Sequence, residues 1–365
     1  MTHAHLDHTG LLPRLVAEGF TGPIYCSKPA RGLVSLILQD AGHLQEEQVR
    51  YARKKGYSRH ADPKPLYTSK DARNTLKQVE RVPFDELMEI VPGISFRLRR
   101  AGHLLGAASV EIRAKGSDGK RKTWCFSGDV GRYGVPIIKD PEPPIDRPEA
   151  LILESTYGDR MHLVSDPAAV LGEIIERVFG AGGSVIIPAF ALGRTQEVLY
   201  HLSQLEQHLD PLDPDRFQRC RSADESKRLN HRREPAVIVA ASGMATGGRV
   251  VHHLKQRLPN ERDAVVFVGY QAAGTRGRAL VEGARMVAIH GTPIPVRAEV
   301  RILVGLSAHA DQRELLRWCE AIESKPSRIF LNHGEDQARK TLSAVLTENA
   351  FARPELPGYG DRFSW

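Results

Sequence analysis

Cysteine is scarce in these 365 residues: Cys26, Cys125, Cys220 and Cys319 stand far apart and form no C-x-x-C pair. That spacing excludes a disulfide framework and a cysteine-based zinc knuckle, so any metal here must be held by His and carboxylate. No run of eighteen apolar residues occurs, which excludes a membrane-spanning helix by pattern. The first twenty residues lack the basic-then-apolar layout of a secretory leader, and the expectation is a cytoplasmic protein with no membrane partner. Internal repeats and low-complexity tracts are missing as well. At 41% hydrophobic and 26% charged, the chain reads as an ordinary globular protein with room for one large or two interlocked domains. Acidic residues are outnumbered, 44 against 51 basic, and the resulting +7 and pI near 9.2 favour a polyanionic partner without establishing one.

What is present is a repeated unit: a short apolar, β-branched run, then a polar or glycine-rich turn, then a helical pattern. Five such units stand out, "ALILESTYGDR", "GSVIIPAFALGRTQEVLYHLSQL", "PAVIVAASGMATGGRVVHHL", "VRILVGLSAHADQRELLRWCEAI" and "RIFLNHGEDQARKTLSAVL". They predict α/β architecture, in which chemistry collects where strand ends meet helix starts. Before them, "SFRLRRAGHLLGAASVEIRAKGSDGKRKTWCFSGDVGR" alternates as paired antiparallel strands, with a turn at Gly116 to Gly119. The Pro-rich stretch Asp140 to Pro148 reads as a crossing loop and a domain edge. A polar, basic stretch from Gln207 to Pro235 carries no strong strand signal.

The chain opens "MTHAHLDHTG", placing His3, His5, Asp7 and His8 within six consecutive positions. A tight loop can aim His3 and His5 at one metal and Asp7 and His8 at a second, because imidazole and carboxylate both suit zinc. Two sites need further ligands. His103 in "AGHLLGA", Asp129 in "FSGDVGR" and His333 in "LNHGED" each follow an apolar run and adjoin a glycine, where a side chain can enter a cleft while the backbone turns away. His103 would join His3 and His5, His333 would join Asp7 and His8, and Asp129 would bridge. Two plainer readings stand beside this one. A lone His after a strand also serves as a hydrogen-bonded structural residue, and Met1-Thr2-His3 is a pattern that binds copper or nickel through the amino terminus without catalysis.

At these residues the sequence resembles a known family. "THAHLDHTG", "AGHLLGAAS" and "FSGDVGR" are similar to the zinc motifs of the metallo-β-lactamase fold. "LILESTYGDR", "SGMATGG", "LSAHADQ" and "NHGE" further resemble its β-CASP branch, RNA-processing nucleases related to the cleavage and polyadenylation endonuclease. Seven motifs fall in family order from the first residues to near Ala350. The resemblance implies an αββα sandwich, here without its N-terminal strands, carrying an inserted β-CASP α/β domain. Residues 1–154 would form the first part of the core, 155–291 a shortened β-CASP domain, and 292–365 the return segment. It implies two zinc ions on His3, His5, Asp7, His8, His103, Asp129 and His333, with Asp7 also counted among the catalytic groups. Glu154 would support His309, and His309 would contact or protonate the scissile phosphate. A His at position 333 is the RNA-type choice in this family, so single-stranded RNA is the implied substrate; a homodimer is among the family's habits.

The chemistry of the residues agrees with those roles, since phosphodiester cleavage needs a nucleophile, charge neutralisation and help for the leaving oxygen. A plainer role for "SAHADQ" is a helix start capped by Ser307 or Asp311. RNA contacts are expected at Arg194, Ser242, Gly243 and Ser307. For Arg194 the rival is a surface ion pair; for "ASGMATGGR", a β-α turn that uses its glycines only for conformation. "RYARKKGYSRH" and "RRA" at Arg99 to Ala101 read as solvated faces or as a track for RNA, with Tyr51 or Tyr57 available for stacking. Two departures from the family pattern are the absence of strands before the His-rich loop and a short stretch between "GRTQE" and "SADESKRLN", and both bear on activity. The rival functions are a thioester or lactone hydrolase of the same fold and an RNA-binding pseudo-enzyme.

Overall fold

A computed structural model describes residues 1–56, 58, 60–116, 119–162, 166–205, 217–232 and 234–363. Packing divides the chain into two compact units, Met1–Met161 with His309–Trp365, and His162–Ala308.

The first unit is built on a six-stranded sheet. Its order runs from Arg328–Asn332 through Ala150–Glu154, Arg121–Phe126, Ala108–Lys115 and Ile94–Arg100 to Met88–Val91. Strands Arg328–Asn332 and Ala150–Glu154 pair in parallel, with Asn332 opposite Glu154, and Arg121–Phe126 runs parallel to Ala150–Glu154. The other pairs are antiparallel, as the alternating sequence predicts, and the turn from Gly116 closes through its N–H donating to the Lys120 carbonyl at 2.8 Å. The apolar runs 150–154 and 328–332 lie next to helices Gln312–Glu320 and Asp336–Glu348, which cover them with Leu315, Trp318, Leu342 and Leu346. Burying each such side chain contributes about 1.5–3 kcal/mol, so this layer fixes the strand ends from which the site residues project. A second, two-stranded parallel sheet pairs Ile24–Ser27 with Val79–Val82 and lies beside the long helix Ala30–Lys55.

The Pro-rich stretch expected at a domain edge lies inside this unit. Glu142 N–H donates to the Arg100 carbonyl at 2.9 Å, and the buried Glu111 carboxylate accepts the amides of Ile145 and Asp146. Arg97 pairs with Glu111 from the neighbouring strand at 3.2 Å. The loop is therefore pinned to the sheet, because each unsatisfied buried amide is expensive.

The second unit holds a four-stranded, all-parallel sheet in the order Glu299–Ile302, Ala264–Phe267, Val185–Pro188, Val237–Ala240. Its central strands are buried end to end, as near-continuous apolar runs demand. Helices Pro167–Gly180 and Arg194–Leu205 pack with one apolar cluster, and Arg249–Arg257 and Arg276–Val281 with another. All five predicted strand-then-helix units are present in strand form. From the stretch Gln207 to Pro235, residues 207–216 and 233 lie outside the described residues; Ala223–Leu229 is a helix opened by a Ser222–Glu225 capping box.

Candidate metal centre

The His-rich opening folds into two short pieces. The chain bends at Ala4, and His5 stands at the N-cap of a one-turn helix, Leu6–Thr9, whose Thr9 Oγ1 donates to the His5 carbonyl at 2.9 Å. The start of that helix separates His3 and His5 from Asp7 and His8. The piece is tied to the sheet by Ala108 N–H donating to the Thr2 carbonyl at 2.9 Å.

Four loops at strand ends meet it. The loop carrying Asp129 and the turn carrying His103 come together where Gly131 N–H donates to the Ala101 carbonyl at 2.6 Å. Only glycine fits there, because a Cβ at Gly131 would overlap the Gly102 carbonyl. The loop carrying His309 is stitched to the Asp129 loop by a Gly131–His309 bridge and by Ala310 N–H donating to the Val130 carbonyl at 2.8 Å. Asp311 then caps the next helix in a capping box with Glu314, so of the two expected caps it is Asp311 that serves.

These loops gather the predicted ligands into two sets of donor atoms, and Asp129 and His333 also group with His309. His3 Nε2 lies 3.1 Å from His5 Nδ1 and 3.3 Å from Asp129 Oδ2. His103 Nε2 lies 3.1 Å from His5 Nδ1 and 3.5 Å from the same oxygen. In the second set, His8 Nε2 lies 3.3 Å from His333 Nε2 and 3.8 Å from Asp7 Oδ2, while His333 Nε2 is 3.4 Å from Asp7 Oδ2. Asp129 Oδ1 is 3.3 Å from His8 Nε2, so its two oxygens face different sets.

Those separations test whether the residues fit a metal. Four ligands at about 2.0–2.1 Å around a tetrahedral zinc lie about 3.3–3.4 Å from one another. The first set brackets that edge length, and the second matches it except for the longer His8–Asp7 separation. The donor chemistry fits as well. Burial holds the His3, His5 and His103 imidazoles neutral, with His5 pushed down to about 3, and ligation requires that lone pair. Burial works against the Asp129 carboxylate, but hydrogen bonds to His3 and His8 hold it well below the usual carboxylate range.

Glu154 and His309 form a separate pair beside these sets. Glu154 is buried, and its Oε1 accepts Val130 N–H at 2.7 Å while Oε2 accepts Thr156 N–H at 3.2 Å. His309 Nδ1 lies 3.1 and 3.2 Å from the two oxygens. Burial disfavours the imidazolium, yet the Glu154 charge and hydrogen bond outweigh it and raise the His309 pKa above its ordinary value. The His103 and His333 rings flank that of His309, with centroids at 4.4 and 5.7 Å.

All nine predicted metal and acid–base residues thus come together in the first unit: His3, His5, Asp7, His8, His103, Asp129, Glu154, His309 and His333. The expected RNA-contacting residues belong to the second unit. Arg194 is buried there, ion-paired with Glu197 and donating to the Leu306 carbonyl, so its guanidinium is spent internally. Ser242 N–H donates to the Gly247 carbonyl at 3.3 Å, closing part of the turn read as a cradle of free amides. The Gly243 carbonyl accepts from Gln271 Nε2 at 3.0 Å, and Ser307 is buried beyond a short 3₁₀ turn. In the basic segments of the first unit, Arg100 pairs with Glu142 at 2.6 Å and Arg53 with Asp62 at 2.7 Å; Tyr51 is exposed, and Tyr57 lies outside the described residues. Ser155 and Thr156 contact the His333 turn; both lie in the motif "LILESTYGDR", in which Glu154 alone carried an expected role.

Fold and site together define a metal-dependent hydrolase. Family models match at a Beta-Casp domain over residues 194–280 and at a Zn-dependent metallo-hydrolase RNA specificity domain over 293–354. A ribonuclease from Thermus thermophilus, TTHA0252, is 32% identical over 95% of this chain and 83% of its own length. Transcription termination factors FttA from Methanocaldococcus jannaschii and Pyrococcus abyssi are each 30% identical, over 92% and 95% of this chain, which spans 58% of their length. The chain belongs to the β-CASP family of metal-dependent RNA nucleases, a metallo-β-lactamase fold with a β-CASP insertion. It is an RNA-processing ribonuclease of that family.

Proposed function

We propose that the protein hydrolyses phosphodiester bonds of single-stranded RNA with two zinc ions, in RNA processing or decay in the cytoplasm. His3, His5 and His103 would hold one ion, Asp7, His8 and His333 the other, and Asp129 both. The observation that carries this reading is the Asp129 carboxylate, which turns one oxygen to each set. When bound, the ions supply a water that is nucleophilic near neutral pH and positive charge against the phosphoryl oxygens.

The remaining steps belong to the chain. Glu154, fixed by two backbone amides, orients the His309 ring and favours its protonated form. A protonated His309 gives its proton to the departing sugar oxygen, a contribution of about 10²–10⁴ in rate for a positioned acid. His3 and His103 are buried, while the more exposed Asp7 and His333 leave the second set open to a substrate phosphate. The RNA specificity match and His333 support RNA over DNA.

The test is zinc per chain by elemental analysis, together with cleavage of a labelled single-stranded RNA with and without chelator. Two zincs and chelator-sensitive cleavage are expected. Cleavage that survives complete metal removal, or a zinc-loaded protein that cuts esters and leaves RNA intact, would overturn the reading.

A further inference from the structure

We propose that Thr156 is a positioning residue for His333, its hydroxyl setting which imidazole nitrogen faces Asp7 and His8. The proposal rests on the metal-centre reading above.

It begins in strand register. Asn332 lies opposite Glu154 in the last pair of the parallel ladder, and beyond that pair the two chains stay joined through side-chain hydroxyls. Ser155 Oγ donates to the Asn332 carbonyl at 2.7 Å, and Thr156 Oγ1 donates to the His333 carbonyl at 2.9 Å. A hydroxyl has one proton, so Thr156 Oγ1 is left with lone pairs alone. It lies 3.0 Å from His333 Nδ1. The bond at that nitrogen therefore needs the proton on the ring: Nδ1–H donates to Thr156. Nε2 then carries the lone pair, and it is Nε2 that faces Asp7 Oδ2 at 3.4 Å and His8 Nε2 at 3.3 Å.

The backbone gives this clamp a reason. His333 has φ +50°, a left-handed conformation that a residue with a Cβ adopts at a cost. The next residue is Gly334, where a Cβ would crowd the Ser155 carbonyl. A turn so constrained aims the ring back across the strand ends, and Thr156 grips both its carbonyl and its ring. A metal-ligating imidazole whose outer N–H is held in this way is fixed in tautomer and orientation, and losing such a partner costs about 10–100-fold in metal affinity. Valine has the shape of threonine and makes neither bond.

The experiment loads the full chain with cobalt(II) and titrates wild type, T156V and T156S against a chelator of known affinity. In T156V one of the two ions is expected to weaken by about 10–100-fold while the other is held as in wild type. T156S, which keeps the hydroxyl, is expected to restore binding. Wild-type retention of both ions in T156V, equal weakening of both, or a T156S variant as weak as T156V would each overturn the role of Thr156. A wild-type protein that binds no cobalt would overturn the metal-centre reading itself, a distinct result. Should T156V not fold, long-range ¹⁵N–¹H correlation on histidine-labelled wild type decides. In the zinc-loaded protein a proton on His333 Nδ1 supports the proposal, and one on Nε2 with Nδ1 bare overturns it.

Discussion

The Glu154 carboxylate and the His309 imidazole, 155 positions apart in the chain, meet at 3.1 Å in the first unit. The carboxylate arrives on the end of a sheet strand and the imidazole three residues before the helix Gln312–Glu320, and a Tyr157–Asp311 bridge joins the segments that follow them. On the proposed roles this pair does acid–base work and the predicted ligands hold the metal. H309A is expected to lower the rate of RNA cleavage by about 10²–10⁴-fold with zinc content unchanged. Turnover near the wild-type level would remove His309 from the chemistry.

E154Q tests the partner. The amide keeps much of the shape but loses the charge that favours a protonated His309. Glu154 raises the His309 pKa, so the protonated form persists to higher pH in wild type and is lost earlier in the variant as pH rises. The alkaline limb of the cleavage profile should therefore move to lower pH in E154Q. A limb that stays in place would show that another group supplies the proton.

Gly131 is a structural position with a functional reach. G131A forces a methyl group onto the Gly102 carbonyl, beside His103 and two residues from Asp129. The overlap should destabilise the fold by about 1–3 kcal/mol, read from denaturant midpoints, and reduce zinc content. Wild-type stability and zinc content in this variant would contradict the close approach.

In the second unit His253 is buried and bridges Ser226 at 2.9 Å and Asn230 at 2.8 Å. Burial, then Arg257 and its neighbours, push its pKa down from 6.5 to about 4. The folded form thus binds fewer protons than the unfolded one between those values. Its contribution is complete above pH 6.5 and is lost as pH falls toward 4. The drop in urea midpoint between pH 7.5 and 4.5, about the span of that titration, should be smaller in H253Q than in wild type. Equal drops would exclude His253 as the source.

Metal removal should lower stability as well as activity. Whatever binds the folded form alone stabilises it, by about 4 kcal/mol at a thousandfold excess over Kd, so the thermal midpoint with chelator should fall well below that with zinc. Coincident midpoints would mean that the loops hold their geometry without an ion.

Much of the site was legible because it is local. His3, His5, Asp7 and His8 sit in one loop, and His103, Asp129 and His333 each follow an apolar run beside a glycine. The strand-then-helix units were legible from hydrophobic period. What stayed hidden depends on partners far along the chain. Arg194 is spent on a carbonyl 112 positions away, and the Pro-rich loop is held by Glu111 and Arg100. Thr156 acquires meaning only once the register between residues 154 and 332 is known.

That register has a consequence for synthesis. His309 and His333 belong to the return segment, after the whole of the second unit has been made. A chain growing from the ribosome carries the opening histidines, His103, Asp129 and Glu154 early, but lacks His309 until the second unit is complete and lacks His333 until strand 328–332 has been made. On the proposed roles, a half-made copy of this ribonuclease has neither its proton donor nor its full ligand set.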